Sequence, residues 1–388
     1  MNLERLYLDY NATSPLSHSV IDWMKSGDVL FANPASQHSS GKASRKLINE
    51  GRTAIYQAFG KSEKDTKLFF HSGATEAFLT FTYSFSELAR LKGGELLVCY
   101  SRIDHPAVAN LSERYWGPHV KFLELVHNDD LTYNHTKNLE IIKDKKDNNP
   151  DLVVLYHHLW VHNETGFVSP LEELLPFKNI PDLYIHVDCV QAPGKIPEWQ
   201  NLSVGDVWSF SAHKFGAFKG IGFSFFKKDL PFSALVLGGG QQQGLRSGTE
   251  NPQGVKSIAL ALNDLKAFDV KANTKKREEL ENFIEGELRG IGGVLKGPRR
   301  NANTIYFYLN RLTSDIALAL FDLNGLMISA GSACSSGAAK DSLVLLQLGK
   351  KEVAKNGLRL SFGFHLSDEE LSKIKTLFHQ TIERVKKN

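Results

Sequence analysis

At 388 residues the chain is long enough for one large domain and a smaller companion. Hydrophobic residues make up 42% and charged residues 23%, a balance that excludes the disordered and membrane classes. A net charge of +3 with no dense basic block gives nucleic-acid binding no support, and the cysteines Cys99, Cys189 and Cys334 form no CxxC, so neither a disulfide framework nor a zinc cluster is implied.

The N-terminal stretch lacks the basic start and apolar run of an export signal. The longest apolar run, 152–161, contains two histidines and is too short for a bilayer. We therefore expect no membrane anchor, no bound metal and a reducing, cytoplasmic location.

In chain order, segment 42–59 reads as an amphipathic helix with Leu47, Ile48, Ile55 and Phe59 on its apolar side. Strands are expected at 68–70, 95–100, 152–156, 184–187 and 207–210, with a charged loop at 143–150. Apolar runs that alternate with helical periodicity predict an α/β fold, helices packed on a mainly parallel sheet. A helix through Ile258, Leu260 and Leu262 opens a second region at Gln253, which divides the chain into a large domain, 15–252, and a small one, 253–388. The last helix begins at Ser367, where Glu370 three residues on makes a capping box, and continues through Leu371, Ile374, Leu377, Phe378, Ile382 and Val385.

Several short constellations carry chemistry. Ser211-Ala212-His213-Lys214 follows an apolar strand and precedes a glycine-rich stretch, a setting suited to a Schiff-base amine, although an exposed loop lysine would look the same. Asp188, just past a strand, could hold a heteroaromatic nitrogen protonated or cap a helix. Ser72-Gly73-Ala74-Thr75-Glu76 offers backbone N–H groups, a hydroxyl and a helix N-terminus to a phosphate, or is simply a helix start. Gly238-Gly239-Gly240-Gln241 through Arg246-Ser247-Gly248-Thr249 could approach a phosphate or a neighbouring subunit.

His105, before Pro106, and Asn163 are each either catalytic or turn-supporting. Cys334 sits among small polar residues, Gly331-Ser332-Ala333-Cys334-Ser335-Ser336-Gly337, as a mobile nucleophile would, and as a harmless loop cysteine could. Arg359, inside the apolar run Gly357-Leu358-Arg359-Leu360-Ser361, needs an anion, either a substrate carboxylate or an internal partner.

The ordered set resembles the cysteine desulfurases, within the class-V aminotransferase-like pyridoxal-phosphate enzymes. It comprises Tyr7-Leu8-Asp9-Tyr10-Asn11-Ala12-Thr13, Asn33-Pro34-Ala35-Ser36-Gln37-His38, the Ser72 turn, His105-Pro106, Asn163-Glu164, Asp188 to Gln191, Ser211 to Lys214, Arg246 to Asn251, Gly331 to Cys334, and Arg359. The resemblance implies a large cofactor-binding domain with a mainly parallel seven-stranded-type sheet, a smaller α+β C-terminal domain, and residues 1–14 packed on the latter.

It implies further that Lys214 holds pyridoxal 5'-phosphate as a Schiff base, that Asp188 pairs with the pyridine nitrogen and that Gln191 contacts the ring hydroxyl. Thr75, Ser211 and His213 would hold the phosphate, Thr249 would reach the phosphate of a partner subunit in a homodimer, and Asn163 would orient cofactor and substrate. His105 would stack on the ring and move protons, with Lys214 the other candidate base. Asn33 and Arg359 would bind the carboxylate of L-cysteine, and Cys334 would take its sulfur as a persulfide for an acceptor protein in iron–sulfur or tRNA-thiolation chemistry.

The chain departs from the family pattern at Ala77-Phe78-Leu79-Thr80, Phe218, Gln242, Gln243 and Ala339-Lys340-Asp341. Rival readings are a selenocysteine lyase or other β-eliminating enzyme on the same cofactor, an aminotransferase or epimerase, and a scaffold subunit without activity.

Overall fold

The computed structural model describes residues 5–330 and 341–387. Its strands are β1 (Leu6–Tyr7), β2 (Thr66–His71), β3 (Leu96–Tyr100), β4 (Val120–Glu124), β5 (Val153–Leu159), β6 (Leu183–Asp188), β7 (Val207–Ser211) and β8 (Gly222–Lys227). They continue with β9 (Gly292–Val294), β10 (Thr304–Leu309), β11 (Leu326–Met327), β12 (Ser329–Ala330) and β13 (Gly357–Ser361). The helices used below are α1 (His18–Ser26), α2 (Ser39–Ala58), α3 (Ala74–Leu91), α4 (Pro106–Ala109), α5 (His135–Asn148), α6 (Pro252–Leu265), α7 (Val270–Glu287), α8 (Ser314–Leu323), α9 (Leu343–Gln347) and α10 (Asp368–Lys387).

Strands β2 to β8 form one seven-stranded sheet in the order β2-β8-β7-β6-β5-β3-β4. Only β8 runs against its neighbours. This is the α/β architecture expected from the alternation of apolar runs and helices. The interior strand β5, Val-Val-Leu-Tyr-His-His-Leu, is buried at every position because helices cover both faces. The five expected strands are all present: β2, β5, β6 and β7 run up to three residues beyond the expected bounds at one or both ends, and β3 and β5 each start one residue later than expected.

The 143–150 stretch is a correction. Helix α5 runs through Asn148, so its charged residues are helical rather than looped. Asn134 caps its start by accepting from Lys137 N–H at 3.0 Å, and Lys145 and Lys146 lie in the last turn, where the helix dipole favours cations. The Lys146 ammonium then donates to Pro150 O and Leu152 O, both at 2.7 Å, and ties the helix end to the start of β5.

A second, antiparallel sheet has the order β12-β13-β10-β9, and β1 pairs in parallel with β11 beside it. Helices α7, α8 and α10 cover this layer, with Phe307, Phe321 and Phe378 meeting at 5.3–5.9 Å between ring centroids. Helix α6 packs elsewhere: Val255, Ile258, Leu262 and Leu265 enter the core beneath the seven-stranded sheet. Gly51 of α2 lets the two helices close, since a Cβ there would lie 2.5 Å from Val255 Cγ1. We therefore propose that the boundary between a large and a small domain falls after α6, at 266–269, rather than at 252/253.

The capping box of α10 is reciprocal. Glu370 N–H donates to Ser367 Oγ at 3.1 Å, and Ser367 N–H donates to the Glu370 carboxylate at 2.9 Å. Ser367→Ala removes one half of it, and urea unfolding should register a loss of about 1 kcal/mol. A stability equal to wild type would show that the terminal turn contributes nothing.

Candidate active site

Strands β5, β6 and β7 end side by side at Leu159, Asp188 and Ser211, next to the first turn of α3. The carboxyl edge of parallel strands is where α/β sheets bind ligands. A cavity of about 470 Å³ opens there, and it gathers Thr75, His105, Asn163, Asp188, Gln191, Ser211, His213 and Lys214.

Each group arrives by a local reason. Lys214 ends the short turn Ala212–Lys214 after β7, and its ammonium donates to Asn11 O at 2.9 Å and Ala12 O at 2.8 Å. Asp188, the last residue of β6, is buried, and one carboxylate oxygen accepts from Val190 N–H at 2.9 Å. Burial raises its pKa to about 6, against the pull of the Lys214 charge. Gln191 donates from its amide to Asn11 O at 2.9 Å.

The two imidazoles beside Lys214 are held neutral. Burial first, and then the Lys214 charge, lowers both His105 and His213 to about 4. His105 Nδ1 accepts from Ala107 N–H at 3.1 Å at the start of α4, which leaves Nε2 as the protonated nitrogen. His213 Nδ1 lies 3.1 Å from Thr13 Oγ1.

Helix α3 presents its N-terminus to the cavity through Ser72, Gly73, Ala74 and Thr75. Gly73 faces Ser211, whose Oγ would be 3.5 Å from a Cβ at that position. The turn is braced from behind. Glu76 accepts from Ser72 N–H at 2.8 Å and pairs with Arg246 at 2.9 Å. Burial raises the Glu76 pKa, but these bonds outweigh it and hold the carboxyl at about 2.

The structure does not bring every expected residue to this cavity. Thr249 lines a neighbouring cleft with Gln242, Arg246 and Asn251. Asn33 is exposed, its side chain turned back onto Ala35 N–H at 2.9 Å. Arg359 is buried in β13, where its guanidinium donates to Asp9 at 2.6 Å and to Asn163 O at 3.1 Å. Neither Asn33 nor Arg359 lines the cavity. Cys334 and Lys340 lie outside the described residues.

Three of the departures have a physical role. Phe78 lines the cavity and packs edge-on against His157. Phe218 stacks on Trp23 at 6.0 Å. Gln242 acts as a strand surrogate: its amide exchanges bonds of 2.6 and 2.9 Å with the backbone of Phe70 on the sheet edge. The price is a left-handed backbone at Gln242, with φ 52°.

Some residues of the site were not singled out from the sequence. Asn11 joins Gln191, Lys195, Lys214, Asn163 and Thr304, although its motif suggested no role. Glu164 has a carboxyl oxygen buried without a partner among the described residues, and burial raises its pKa to about 7 although Arg359 pulls the other way. The hint for each was its place in a quoted motif, Tyr7 to Thr13 for Asn11 and Asn163-Glu164 for Glu164.

A lysine, a buried carboxylate and an anion cradle of hydroxyls, imidazole and helix N-terminus are the groups that a pyridoxal-phosphate enzyme requires. The donor set fits that cofactor: Asp188 suits a protonated ring nitrogen, and Thr75, Ser211 and His213 suit its phosphate.

Known proteins agree. The family model described as aminotransferase class-V matches residues 6–374. A cysteine desulfurase IscS of Dictyoglomus turgidum is 30% identical, over 98% of this chain and 95% of its own length. A cysteine desulfurase of Cereibacter sphaeroides is 30% identical over 99% and 97%. Among solved structures, a NifS-like protein shares the fold with a TM-score of 0.85 at 24% identity, over 99% of this chain and all of that one. The chain belongs to the cysteine desulfurase family of class-V aminotransferases, and its cofactor is pyridoxal 5'-phosphate. No helix among the described residues is long and apolar enough to cross a membrane.

Proposed function

We propose that this desulfurase converts L-cysteine to L-alanine and keeps the sulfur as a persulfide on Cys334 for an acceptor protein. The observation that carries the reading is the convergence of Lys214, Asp188, Gln191, Thr75, Ser211 and His213 on one cavity, with His105 and Asn163 at its wall. Bound pyridoxal phosphate supplies an electron sink for the substrate's α-carbon. Lys214 holds the cofactor, Asp188 pairs with its ring nitrogen, Gln191 meets the ring hydroxyl, and Thr75, Ser211 and His213 take the phosphate.

The choice of base follows from tautomers. His105 spends its Nδ1 lone pair on Ala107 N–H, so its other nitrogen can only donate, which favours Lys214 as the group that removes the α-proton. His105 then donates a hydrogen bond to negative charge. Asn163 orients the substrate. Arg359 and Asn33 are proposed for its carboxylate, and the Arg359 Nε–H, buried without a partner among the described residues, supports an anion there.

In the transfer, the Cys334 thiolate forms a bond to the substrate sulfur while the bond from that sulfur to Cβ breaks. The electron pair stays on Cβ, which takes a proton to give alanine, so one cysteine and one thiol become one alanine and one persulfide.

We place Thr249 at the cofactor phosphate of a second subunit in a homodimer. Its position on a cleft apart from its own cavity supports this, as do the exposed side chains of Phe31 and Leu237. The unpaired, buried Cys99 and Cys189 fit a reducing cytoplasm. Proteins of iron–sulfur cluster assembly or tRNA thiolation are the acceptors we propose.

An L-cysteine assay for alanine and sulfide, with mass spectrometry of the peptide bearing Cys334, tests the reading. Alanine should form and the peptide should gain one sulfur, whereas Cys334→Ala should lose at least about 10²-fold in turnover. Full turnover by that variant would overturn the persulfide step. Turnover of L-selenocysteine alone would overturn the choice of substrate.

A further inference from the structure

Lys195 is a lysine buried to 1% exposure in the junction between the two sheets. Among the described residues it has no carboxylate within salt-bridge distance. Its amine meets two neutral oxygens, Asn11 Oδ1 at 3.0 Å and Gln191 Oε1. The charges that act on it are Lys214 and Arg359, both of like sign, and Asp9 of opposite sign.

We propose that Lys195 is a positioning residue of the cofactor site, a neutral amine that fixes the Gln191 amide and, through Asn11, the seat of Lys214. Both acceptors are neutral oxygens, so no partner carboxylate among the described residues offsets the cost of burying an ammonium, whereas the two N–H groups of a neutral amine match them one to one. Burial, and then the two like charges, lower its pKa well below the ordinary lysine value.

The consequence falls on Gln191. An amide can turn end for end at little cost unless something distinguishes its oxygen from its nitrogen. A donor at Oε1 does so. It sends the Gln191 NH₂ group toward Asn11 O, which also accepts from Lys214 at 2.9 Å. Lys195 is thus two hydrogen bonds from the lysine that carries the cofactor. Asn11 extends the same network to Thr304 at 2.8 Å in the second sheet. A neutral Lys195 also spares the site another positive charge beside Lys214.

This inference rests on the assignment of Lys214 and Gln191 to the cofactor, and the test separates the two. The probe is pyridoxal phosphate itself, read in the purified holoenzyme by its dissociation constant and by the pH midpoint of its visible band. Lys195→Met keeps the length and removes both N–H groups, leaving Gln191 Oε1 and Asn11 Oδ1 without that donor. We expect cofactor affinity to fall about tenfold, the worth of one buried hydrogen bond. We expect the midpoint to move by about half a pH unit. Gln191→Leu should do the same, and the double variant should be no worse than either single one.

Should Lys195→Met fail to fold, as judged by circular dichroism, Lys195→Gln and Lys195→Arg decide. The neutral donor should keep affinity and midpoint near wild type, and the fixed cation should not. Wild-type values in Lys195→Met, effects that add in full with Gln191→Leu, or an arginine that serves where glutamine fails would each overturn the proposal. Wild-type protein with no visible band would instead overturn the cofactor assignment.

Discussion

Lys214→Ala should lose the visible absorbance of the holoenzyme and at least about 10²- to 10⁴-fold in desulfurase turnover, the range expected when a positioned base is removed, with the loss of covalent attachment added. The geometry argues for so large an effect. Among the described residues, Lys214 and Lys219 are the lysines that line the cavity, and Lys214 is the nearer of the two to the end of β7. Its amine is steered by Asn11 O and Ala12 O, carbonyls that belong to a segment 202 or 203 residues away. His105 and His213 are uncharged beside it, so neither replaces it as a cation. Lys214→Arg is the informative companion: it keeps the charge but not the nucleophile, and it should be as inactive as the alanine variant. A Lys214→Ala enzyme that kept its visible band and more than about a tenth of its turnover would overturn the assignment, since a tenfold loss is only 1.4 kcal/mol.

Why these residues could be found in the sequence, and others could not, has a physical basis. Asp188 and Ser211 end apolar strands and Lys214 follows three residues after one, and a strand end in an α/β fold points at the ligand edge. Periodicity therefore located them. Asn11 and Lys195 act through contacts that no local pattern encodes: Asn11 meets Gln191 across 180 residues and Thr304 across 293. Arg359 shows the reverse limit. A lone arginine in an apolar strand announced an anionic partner, but only the fold revealed Asp9 as the partner present, 350 residues away. Helix α5 was missed because its inward face is small, with Asn138, Ile142 and Lys146 as its buried residues. Helix α6 was recognised, but a helix's sequence does not say which of two cores it joins.

Acid should unfold this protein well before its surface carboxylates are neutralised. The buried histidines His157 and His158 are held at about 3, and His71, His127, His135 and His162 at about 4, in each case first by burial. Among the described residues, neither ring nitrogen of His157 has a hydrogen-bond partner that could accommodate a proton. In the unfolded chain these groups titrate at about 6.5. Their folded pKa values are depressed, so the stability they contribute is present above about 6.5 and is lost as pH falls toward 4 and 3. Each excess proton bound by the unfolded chain lowers stability by about 1.4 kcal/mol per pH unit.

The three carboxyls raised furthest act in the other direction. Burial raises Asp104 and Glu164 to about 7 and Asp188 to about 6, so their contribution is present at low pH and is lost as pH rises through 6 to 7. The histidines outnumber them, so stability should rise from pH 5 to a maximum near neutrality. Urea unfolding at pH 5, 6 and 7 should show this rise. His157→Leu, which exchanges an unmatched imidazole for an apolar side chain between Phe78 and His186, should flatten the acid limb by about one proton. Equal stability at pH 5 and 7, or an unchanged limb in His157→Leu, would show that these rings are hydrated or protonated in the folded protein.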